Sequence, residues 1–165
     1  RLITPGWSGN WSVKWLQKLE VLDHLPKLYY QNQYFYLGQA PDDPDKVMIT
    51  AMGVKTLITE PRDDDAPLPR GTHIIRGLAW SGAGRITRVE VSVDGGETWH
   101  DAHREMPQER WLWQRWSHLW HAESPGKYAI MARATDEAGR VQPQIGWNVL
   151  RKNFDGIVPV DVEVK

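Results

Sequence analysis

Residues 86–99 read ITRVEVSVDGGETW, and this stretch decides the fold. Valine recurs at every second position from Val89 to Val93, with charged or polar residues between. Successive side chains of a strand point to opposite faces, so the pattern predicts a β-strand with one apolar and one polar face. Residues 94–96, Asp-Gly-Gly, supply the backbone freedom that a hairpin turn requires, and Trp99 opens the return strand.

Comparable strands are predicted on both sides of this hairpin. Residues 74–80 form one strand, which ends at a Ser-Gly-Ala-Gly turn. Further runs of alternating or β-branched residues predict strands near residues 56–59, 126–135 and 160–164. Several short strands separated by turn residues predict an all-β fold, and specifically a β-sandwich whose first strand begins near Val54.

Residues 110–121, RWLWQRWSHLWH, hold the densest run of tryptophans. Within one strand, residues of the same parity share a face. The tryptophans change parity along the run, from Trp111 and Trp113 to Trp116 and Trp120. A parity change inside a strand requires a bulge or a bend, which we place near residues 114–115.

Composition excludes several classes of function. The 165 residues carry a net charge of -1, so no basic surface for nucleic acid is expected. No apolar run is long enough to span a bilayer, and no signal peptide is recognised. The first residue is Arg1, and the absence of an initiator methionine indicates a fragment or a processed product. The absence of cysteine excludes disulfides, thiolate metal sites and cysteine nucleophiles within the chain, and no other metal-ligand pattern is found.

Ten tryptophans are a clear excess for a chain of this length. One interpretation is that they supply large core side chains and part of an interface between subunits. The other is that they form stacking platforms for sugars or another flat ligand. The composition leaves both interpretations open.

Residues 1–16, RLITPGWSGNWSVKWL, do not look like the start of an independent domain. The Pro-Gly and Gly-Asn pairs are turn signals, so we expect a short strand, a turn rich in free N–H groups and a second strand over residues 13–22. Cations at Arg1 and Lys14, together with the Ser12 hydroxyl, make this turn a candidate cradle for a phosphate or another anion. A surface loop with ordinary charges is the alternative.

The same segment resembles the one that closes the molybdopterin domain in the sulfite oxidase and sulfite dehydrogenase family. In that family an arginine stands four residues before a Pro-Gly pair, and a Val-Lys-Trp sequence follows after a small or polar residue. The spacing is matched without a gap by Arg1, Pro5-Gly6 and Ser12-Val13-Lys14-Trp15. The resemblance therefore implies that the molybdopterin cofactor and its phosphate contact Arg1, Ser12, Val13 and Lys14.

Three further motifs resemble the same family. GLAWSGAGRITRVEVSVDGGETW (77–99) is similar to strands of its C-terminal domain, ARATDEAGRVQPQ (132–144) to its Ala-Thr-Asp signature, and Trp147-Asn148 to the Trp-Asn pair that follows. The resemblance implies an immunoglobulin-like, E-set type β-sandwich, the Mo-co oxidoreductase dimerisation domain. Residues 1–22 would then end the molybdopterin domain, residues 23–53 would form a connecting arm, and residues 54–165 would form the dimerisation domain.

The resemblance also implies an enzyme that transfers an oxygen atom to sulfite or a related sulfur compound at a molybdenum cofactor. The cysteine that ligates the molybdenum must lie outside this chain, which is not expected to be active alone. The family places a substrate arginine three residues after the tryptophan of the Trp-Asn pair. Here Leu150 holds that position, so Arg151, one residue later, is the candidate for binding the substrate anion, with Lys152 as the substitute. The shift leaves room for a sulfane-sulfur substrate or another oxidoreductase.

Partners follow from the same resemblance. They are the protein's own N-terminal molybdopterin domain, a second copy of the chain in a homodimer, and a cytochrome c-type electron acceptor in the periplasm. The dimer contact is expected in residues 29–36 or residues 111–120, where aromatic side chains cluster. Two alternatives from other classes are a free-standing, tryptophan-rich immunoglobulin-like module that binds carbohydrate or protein, and a structural spacer in a secreted multidomain protein.

Overall fold

The structure, a computed structural model, describes residues 1–24, 28–30, 34–37, 42–144 and 155–165. A short 3-10 helix, Gly9–Trp11, precedes ten β-strands in these residues. The strands are β1 (Tyr36–Leu37), β2 (Val47–Met48), β3 (Lys55–Glu60), β4 (Gly71–Trp80), β5 (Ile86–Ser92), β6 (His100–Asp101), β7 (His103–Arg104), β8 (Gln114–Ala122), β9 (Gly126–Asp136) and β10 (Val160–Val164). None of the helices in the described residues has the length and apolar character needed to cross a bilayer.

The strands form two four-stranded antiparallel sheets that face each other. The order is β10-β9-β5-β6 in one sheet and β3-β4-β8-β7 in the other, while β1 and β2 pair separately. The predicted all-β, immunoglobulin-like sandwich is confirmed. The strands predicted along the chain correspond to β3, β4, β5, β9 and β10, which provide most of the two sheets.

The core lies between the two sheets and is built from every second residue of the strands. Val89 and Val91 of β5 are buried, as the alternation predicts. Trp116 of β8 is 1% exposed, and its indole Nε1 donates a hydrogen bond to Thr56 Oγ1 at 2.8 Å. Gly77 lies opposite Trp116 in the pairing of β4 with β8, where the absence of a side chain leaves room for the indole ring.

The tryptophan-rich strand starts later than its sequence pattern predicts. The pairing of β8 with β4 runs without a shift from Gln114 to Ala122, so the bulge or bend predicted near residues 114–115 does not lie there. Trp111 and Trp113 precede the strand, and Trp111 has a positive φ of 66°. The parity of the tryptophans changes because the chain turns before β8 begins.

The outer face of β5 differs from the solvent-exposed polar face that the sequence predicts. Glu90 is 5% exposed, and its carboxylate pairs with Arg88 of β5 and with Arg133 of β9. Arg133 of β9 donates from Nε and Nη2 to this carboxylate at 2.9 and 3.0 Å, and its guanidinium carbon lies 4.2 Å from the centroid of the Trp99 ring. This bidentate ion pair joins β5 to β9 on the side opposite the core.

The loop between β3 and β4 lies along the outer edge of β10. Asp63 Oδ1 accepts a hydrogen bond from the Asp161 amide at 2.7 Å. The Leu68 amide donates to Glu163 O at 2.8 Å, and the Lys165 amide donates to Leu68 O at 2.9 Å. Backbone groups on the free side of the last strand are therefore paired within the chain.

The N-terminal strand predicted over residues 13–22 is wrong, since the structure assigns no strand to residues 13–24. Apolar side chains there project into solvent, and Trp15 and Val21 are 91% and 97% exposed. A strand needs a neighbour for its backbone N–H and C=O groups. Among the described strands of this chain, none pairs with the segment, so it stays irregular.

Candidate functional site

Residues 1–14, called the N-terminal loop below, close on themselves through backbone hydrogen bonds. The Leu2 amide donates to Val13 O at 2.9 Å, which brings the first residues beside the last ones. Four residues are predicted to contact a cofactor. Arg1, Val13 and Lys14 are exposed, and Ser12 is partly buried. The hydrogen bond places the backbone of Arg1 near that of Ser12, Val13 and Lys14, and the contact of the four residues with a cofactor stays a prediction.

The N-terminal loop is anchored to residues 49–52, the stretch that leads into the sandwich. The Ser8 amide donates to Thr50 O at 2.8 Å, and the Met52 amide donates to Gly6 O at 2.9 Å. Backbone hydrogen bonds of this kind do not depend on side-chain rotamers. The position of the loop is therefore set by the position of residues 49–52 on the sandwich.

Two glycines allow the N-terminal loop to approach the sandwich closely. Gly82, in the turn between β4 and β5, donates its amide to Met52 O at 3.1 Å. A Cβ at Gly82 would lie 2.2 Å from Gly6 O and 2.4 Å from Met52 N. Gly6 has a φ of 74°, and a Cβ there would lie 2.2 Å from Cζ3 of the Trp111 ring. A side chain at either position would push the loop away from the sandwich.

A buried polar network fixes the turn that carries Gly82. The carboxylate of Asp136 accepts hydrogen bonds from Ser81 Oγ at 2.7 Å and from Arg140 Nε at 2.9 Å. Arg140 Nη2 also donates to Ser81 Oγ at 2.8 Å. Burial alone would raise the pKa of Asp136, but the hydrogen bonds from Ser81 and Arg140 outweigh it and hold the pKa below its ordinary value. The network is therefore built around an ionised carboxylate.

A second pair of charged groups lies beside the same stretch. The Asp155 side chain packs on Gly53, where a Cβ would lie 2.3 Å from Asp155 Oδ2. Burial raises the pKa of Asp155, although the positive charges of Lys55 and Arg140 act in the opposite direction. Burial also lowers the pKa of Lys55, opposed by the negative charge of Asp155. Both groups lose solvation at the end of the sandwich that carries the N-terminal loop.

The candidate substrate cation Arg151 lies outside the described residues, as do Lys152 and the Trp-Asn pair before them. The chain on the two sides of this segment meets, because the Ile157 amide donates to Pro143 O at 3.1 Å. The role of Arg151 in binding a substrate anion stays a prediction that rests on the sequence resemblance.

The N-terminal loop offers groups suited to a phosphorylated pterin. Asn10 is shielded from solvent, and its Nδ2 and Oδ1 have no hydrogen-bond partner in the part of the chain that the structure describes. An unpaired buried amide is costly, so we expect a polar group to complete the loop. A phosphorylated pterin has hydrogen-bond donors and acceptors that can pair with the amide of Asn10, and its phosphate is an anion that Arg1 and Lys14 can bind.

Across the described ranges, no three His, Asp or Glu side chains are placed to hold a metal ion.

Sequence reasoning missed the network of Ser81, Asp136 and Arg140. Part of the signal was present, because Asp136 and Arg140 both fall within the motif ARATDEAGRVQPQ. Their partner Ser81 stands 55 positions before Asp136, in a turn that the sequence marks only as a turn. A contact over that separation leaves no periodic pattern from which it can be predicted.

A model of the Mo-co oxidoreductase dimerisation domain family matches residues 46–157. The chain is 36% identical over 156 residues to sulfite oxidase of Gallus gallus, and this match covers 87% of the chain and 33% of that protein. It is 32% identical over 175 residues to nitrate reductase (NADH) 2 of Phaseolus vulgaris, with 91% of the chain and 20% of that protein covered. The chain thus spans a third or less of the length of these relatives.

A solved structure shares the fold. The sulfane dehydrogenase SoxCD from Paracoccus pantotrophus matches with a TM-score of 0.78 and 28% sequence identity. The match covers 99% of this chain and 45% of that chain. Because nearly the whole chain is covered, the likeness includes the N-terminal loop as well as the sandwich.

Proposed function

Because this chain belongs to the Mo-co oxidoreductase dimerisation domain family, we propose that it forms the C-terminal part of a molybdopterin-dependent oxidoreductase of the sulfite oxidase type. The proposed reaction is oxygen-atom transfer to sulfite or a related sulfur compound. The observation that carries the proposal is the closed N-terminal loop, in which a backbone hydrogen bond brings the chain around Arg1 beside the chain around Ser12 and Lys14. Family membership favours this function over a free-standing binding module or a structural spacer.

The role of this chain at the cofactor is placement and charge. Arg1 and Lys14 bind the phosphate of the pterin through charge-assisted hydrogen bonds, while Ser12 and the backbone of Val13 orient the ring system. The molybdenum cofactor supplies the redox chemistry when it is bound. Its cysteine ligand belongs to a part of the protein outside this chain, because the chain contains no cysteine.

Apolar residues after the N-terminal loop support a cofactor domain that packs against this chain. Trp15, Leu19 and Val21 are 91%, 73% and 97% exposed. Exposed apolar side chains grouped along one segment are typical of a contact surface. We therefore propose that residues 1–22 complete the molybdopterin domain, with residues 23–53 as the arm that connects it to the sandwich of residues 54–165.

Lys14→Ala in the full-length enzyme is expected to lower the molybdenum content per purified protein. The physical reason is that one charge-assisted phosphate contact contributes about 1.5–3 kcal/mol to cofactor binding. Lys18→Ala is the matched control, because Lys18 is also an exposed lysine of this segment and pairs with Glu20 at 2.6 Å. If both variants keep the molybdenum content of the parent enzyme, Lys14 is only a surface charge.

We also propose Arg151 as the cation that binds the substrate anion. Lys152, the next residue, is the second candidate for this role. The sequence resemblance supports this role, and a guanidinium can bind an oxyanion through two parallel hydrogen bonds. The one-residue shift from the family position is compatible with either sulfite or a sulfane-sulfur compound. A cytochrome c-type protein in the periplasm is the proposed acceptor of the electrons that leave the cofactor.

The intact protein is proposed to be a homodimer with two-fold symmetry, the usual arrangement for a dimerisation domain. Only some aromatic side chains of the two stretches predicted at the interface are exposed to solvent and can contact a second copy. Trp116 and Trp120 are buried in the core, whereas Trp113 is 60% exposed. Tyr29 and Tyr30 of the connecting arm are also largely exposed. The arm and the residues before β8 are therefore the candidate dimer surfaces.

Light scattering of the full-length protein at micromolar concentration is expected to give twice the mass of one chain. The expectation follows from the family of this domain and from the exposed aromatic side chains, which are typical of interface cores. Dilution into the nanomolar range then measures the dissociation constant. A single-chain mass at micromolar concentration would contradict the proposed dimer.

A further inference from the structure

We propose that Ser81 is a positioning residue for the N-terminal loop, acting together with Asp136 and Arg140. The inference rests on the proposed cofactor role of that loop, and it assigns a buried serine of the sandwich to the same task. The effect of Ser81 passes through the next residue, Gly82, which docks against Gly6. The network would thereby hold the N-terminal loop, with its proposed cofactor contacts, at a fixed place relative to the sandwich.

The Ser81 hydroxyl uses its full capacity for hydrogen bonds. It donates to Asp136 Oδ2 at 2.7 Å and accepts from Arg140 Nη2 at 2.8 Å and from the Ala83 amide at 3.0 Å. A hydroxyl has one donor and two acceptor sites, so all three are occupied. Ser81 is also 5% exposed, which leaves little access for water to replace a lost partner. The bond to Ala83 fixes the backbone of the turn.

The turn fixed in this way presents Gly82 to the N-terminal loop. The Gly82 amide donates to Met52 O at 3.1 Å, while the Met52 amide donates to Gly6 O at 2.9 Å. Arg140 Nη2 approaches the same Met52 oxygen at 3.4 Å. Met52 is thus held by the network on one side and binds the loop on the other. A small movement of the turn would be transmitted to Gly6, because backbone atoms of the two segments are nearly in contact.

The sandwich contains a matched serine at its opposite end. Ser92 is fully buried, and its hydroxyl donates to Asp94 Oδ1 at 2.6 Å and accepts from the Gly96 amide at 2.8 Å. Ser81 and Ser92 therefore share the same chemistry, a buried hydroxyl that joins an aspartate to a turn. Because β5 begins after the turn of Ser81 and ends at Ser92, only Ser81 lies at the end that carries the N-terminal loop.

The test compares Ser81→Ala with Ser92→Ala in the full-length, cofactor-loaded enzyme. Amide hydrogen exchange of peptides covering residues 5–12 and 49–53, the melting temperature and the molybdenum content are measured for each variant. We expect Ser81→Ala to accelerate exchange in these peptides about tenfold and to lower the molybdenum content, because the turn loses its hydrogen bonds and opens more easily. Both variants should lower the melting temperature by similar amounts. Ser92→Ala should leave amide exchange in the N-terminal loop and the molybdenum content unchanged.

Equal exchange of the loop in the two variants would overturn the proposal. So would equal losses of molybdenum, since the loss would then follow stability and not the position of the loop. Faster exchange of the loop in Ser81→Ala alone, with unchanged molybdenum content, would support the positioning role of Ser81. The same result would overturn the proposed cofactor contacts of the loop. The positioning role and the cofactor role can thus fail separately.

Discussion

Gly77→Ala is expected to destabilise the sandwich by about 3 kcal/mol, near the upper end of the cost of overpacking a filled core. A Cβ at Gly77 would lie 2.1 Å from Cζ2 of Trp116 and 2.3 Å from Leu57 O. The indole cannot move aside freely, because it is buried and bonded through Nε1 to Thr56 Oγ1. Calorimetry of the full-length protein should show the transition of this domain lowered by about 10 °C.

The clash can be assigned to the indole with a double-mutant cycle. Trp116→Phe shortens the ring and removes Cζ2, so Gly77→Ala should cost less free energy of unfolding in that background than in the parent. The contact with Leu57 O remains, so the rescue is expected to be partial. Equal costs in the two backgrounds would show that the indole does not limit the space at Gly77.

Gly82→Ala is expected to release the N-terminal loop and most of the bound cofactor while the sandwich stays folded. The added Cβ would meet backbone atoms of Gly6 and Met52, which cannot rotate away as the end of a side chain can. An overpacking cost of about 1–3 kcal/mol falls on the contact between loop and sandwich, which lowers the equilibrium constant for docking of the loop by roughly 5- to 150-fold. Molybdenum content and amide exchange of residues 5–12 in the full-length enzyme measure the effect.

Gly9→Ala is the control for this prediction, because it adds the same methyl group within the same loop. Nothing lies within 4 Å of a Cβ at Gly9, so the variant should keep the loop docked and the cofactor bound. Full molybdenum content in Gly82→Ala would refute the link between docking and cofactor binding. Loss in both variants would show that the loop responds to any added side chain.

Alternation of apolar residues predicted the strands well, because burial of one face is a local property of a strand. Val160, Val162 and Val164 of β10 are buried as the pattern indicates. The opposite face is less predictable, since what covers it comes from elsewhere in the chain. Glu90 looks like a solvent-facing residue of β5 until Arg133 of β9 is placed beside it. Tertiary contact overrides the local pattern there.

The candidate site was predictable only where a motif lies within one segment. Residues 1–14 could be singled out from their spacing, and the structure does bring the two ends of that segment together. Their anchoring could not be predicted, because Gly6, Met52 and Gly82 contact each other across long separations. The failed strand over residues 13–22 has a related cause. Its apolar residues predict burial, but the described residues of this chain provide no strand beside it.

The loop that lies along β10 limits how two copies of this protein can join. Open edge strands add strands from other chains, which extends a sheet across the contact and leads to fibres. Here the Asp161 amide is paired with the Asp63 carboxylate, and backbone groups of Glu163 and Lys165 are paired with Leu68. On β3, an edge strand of the other sheet, the Thr56 amide donates to Gln142 Oε1 at 2.9 Å. Sheet extension along β10 and at Thr56 is therefore disfavoured, so we expect two copies to meet through other surfaces; a two-fold contact of that kind closes after one pair.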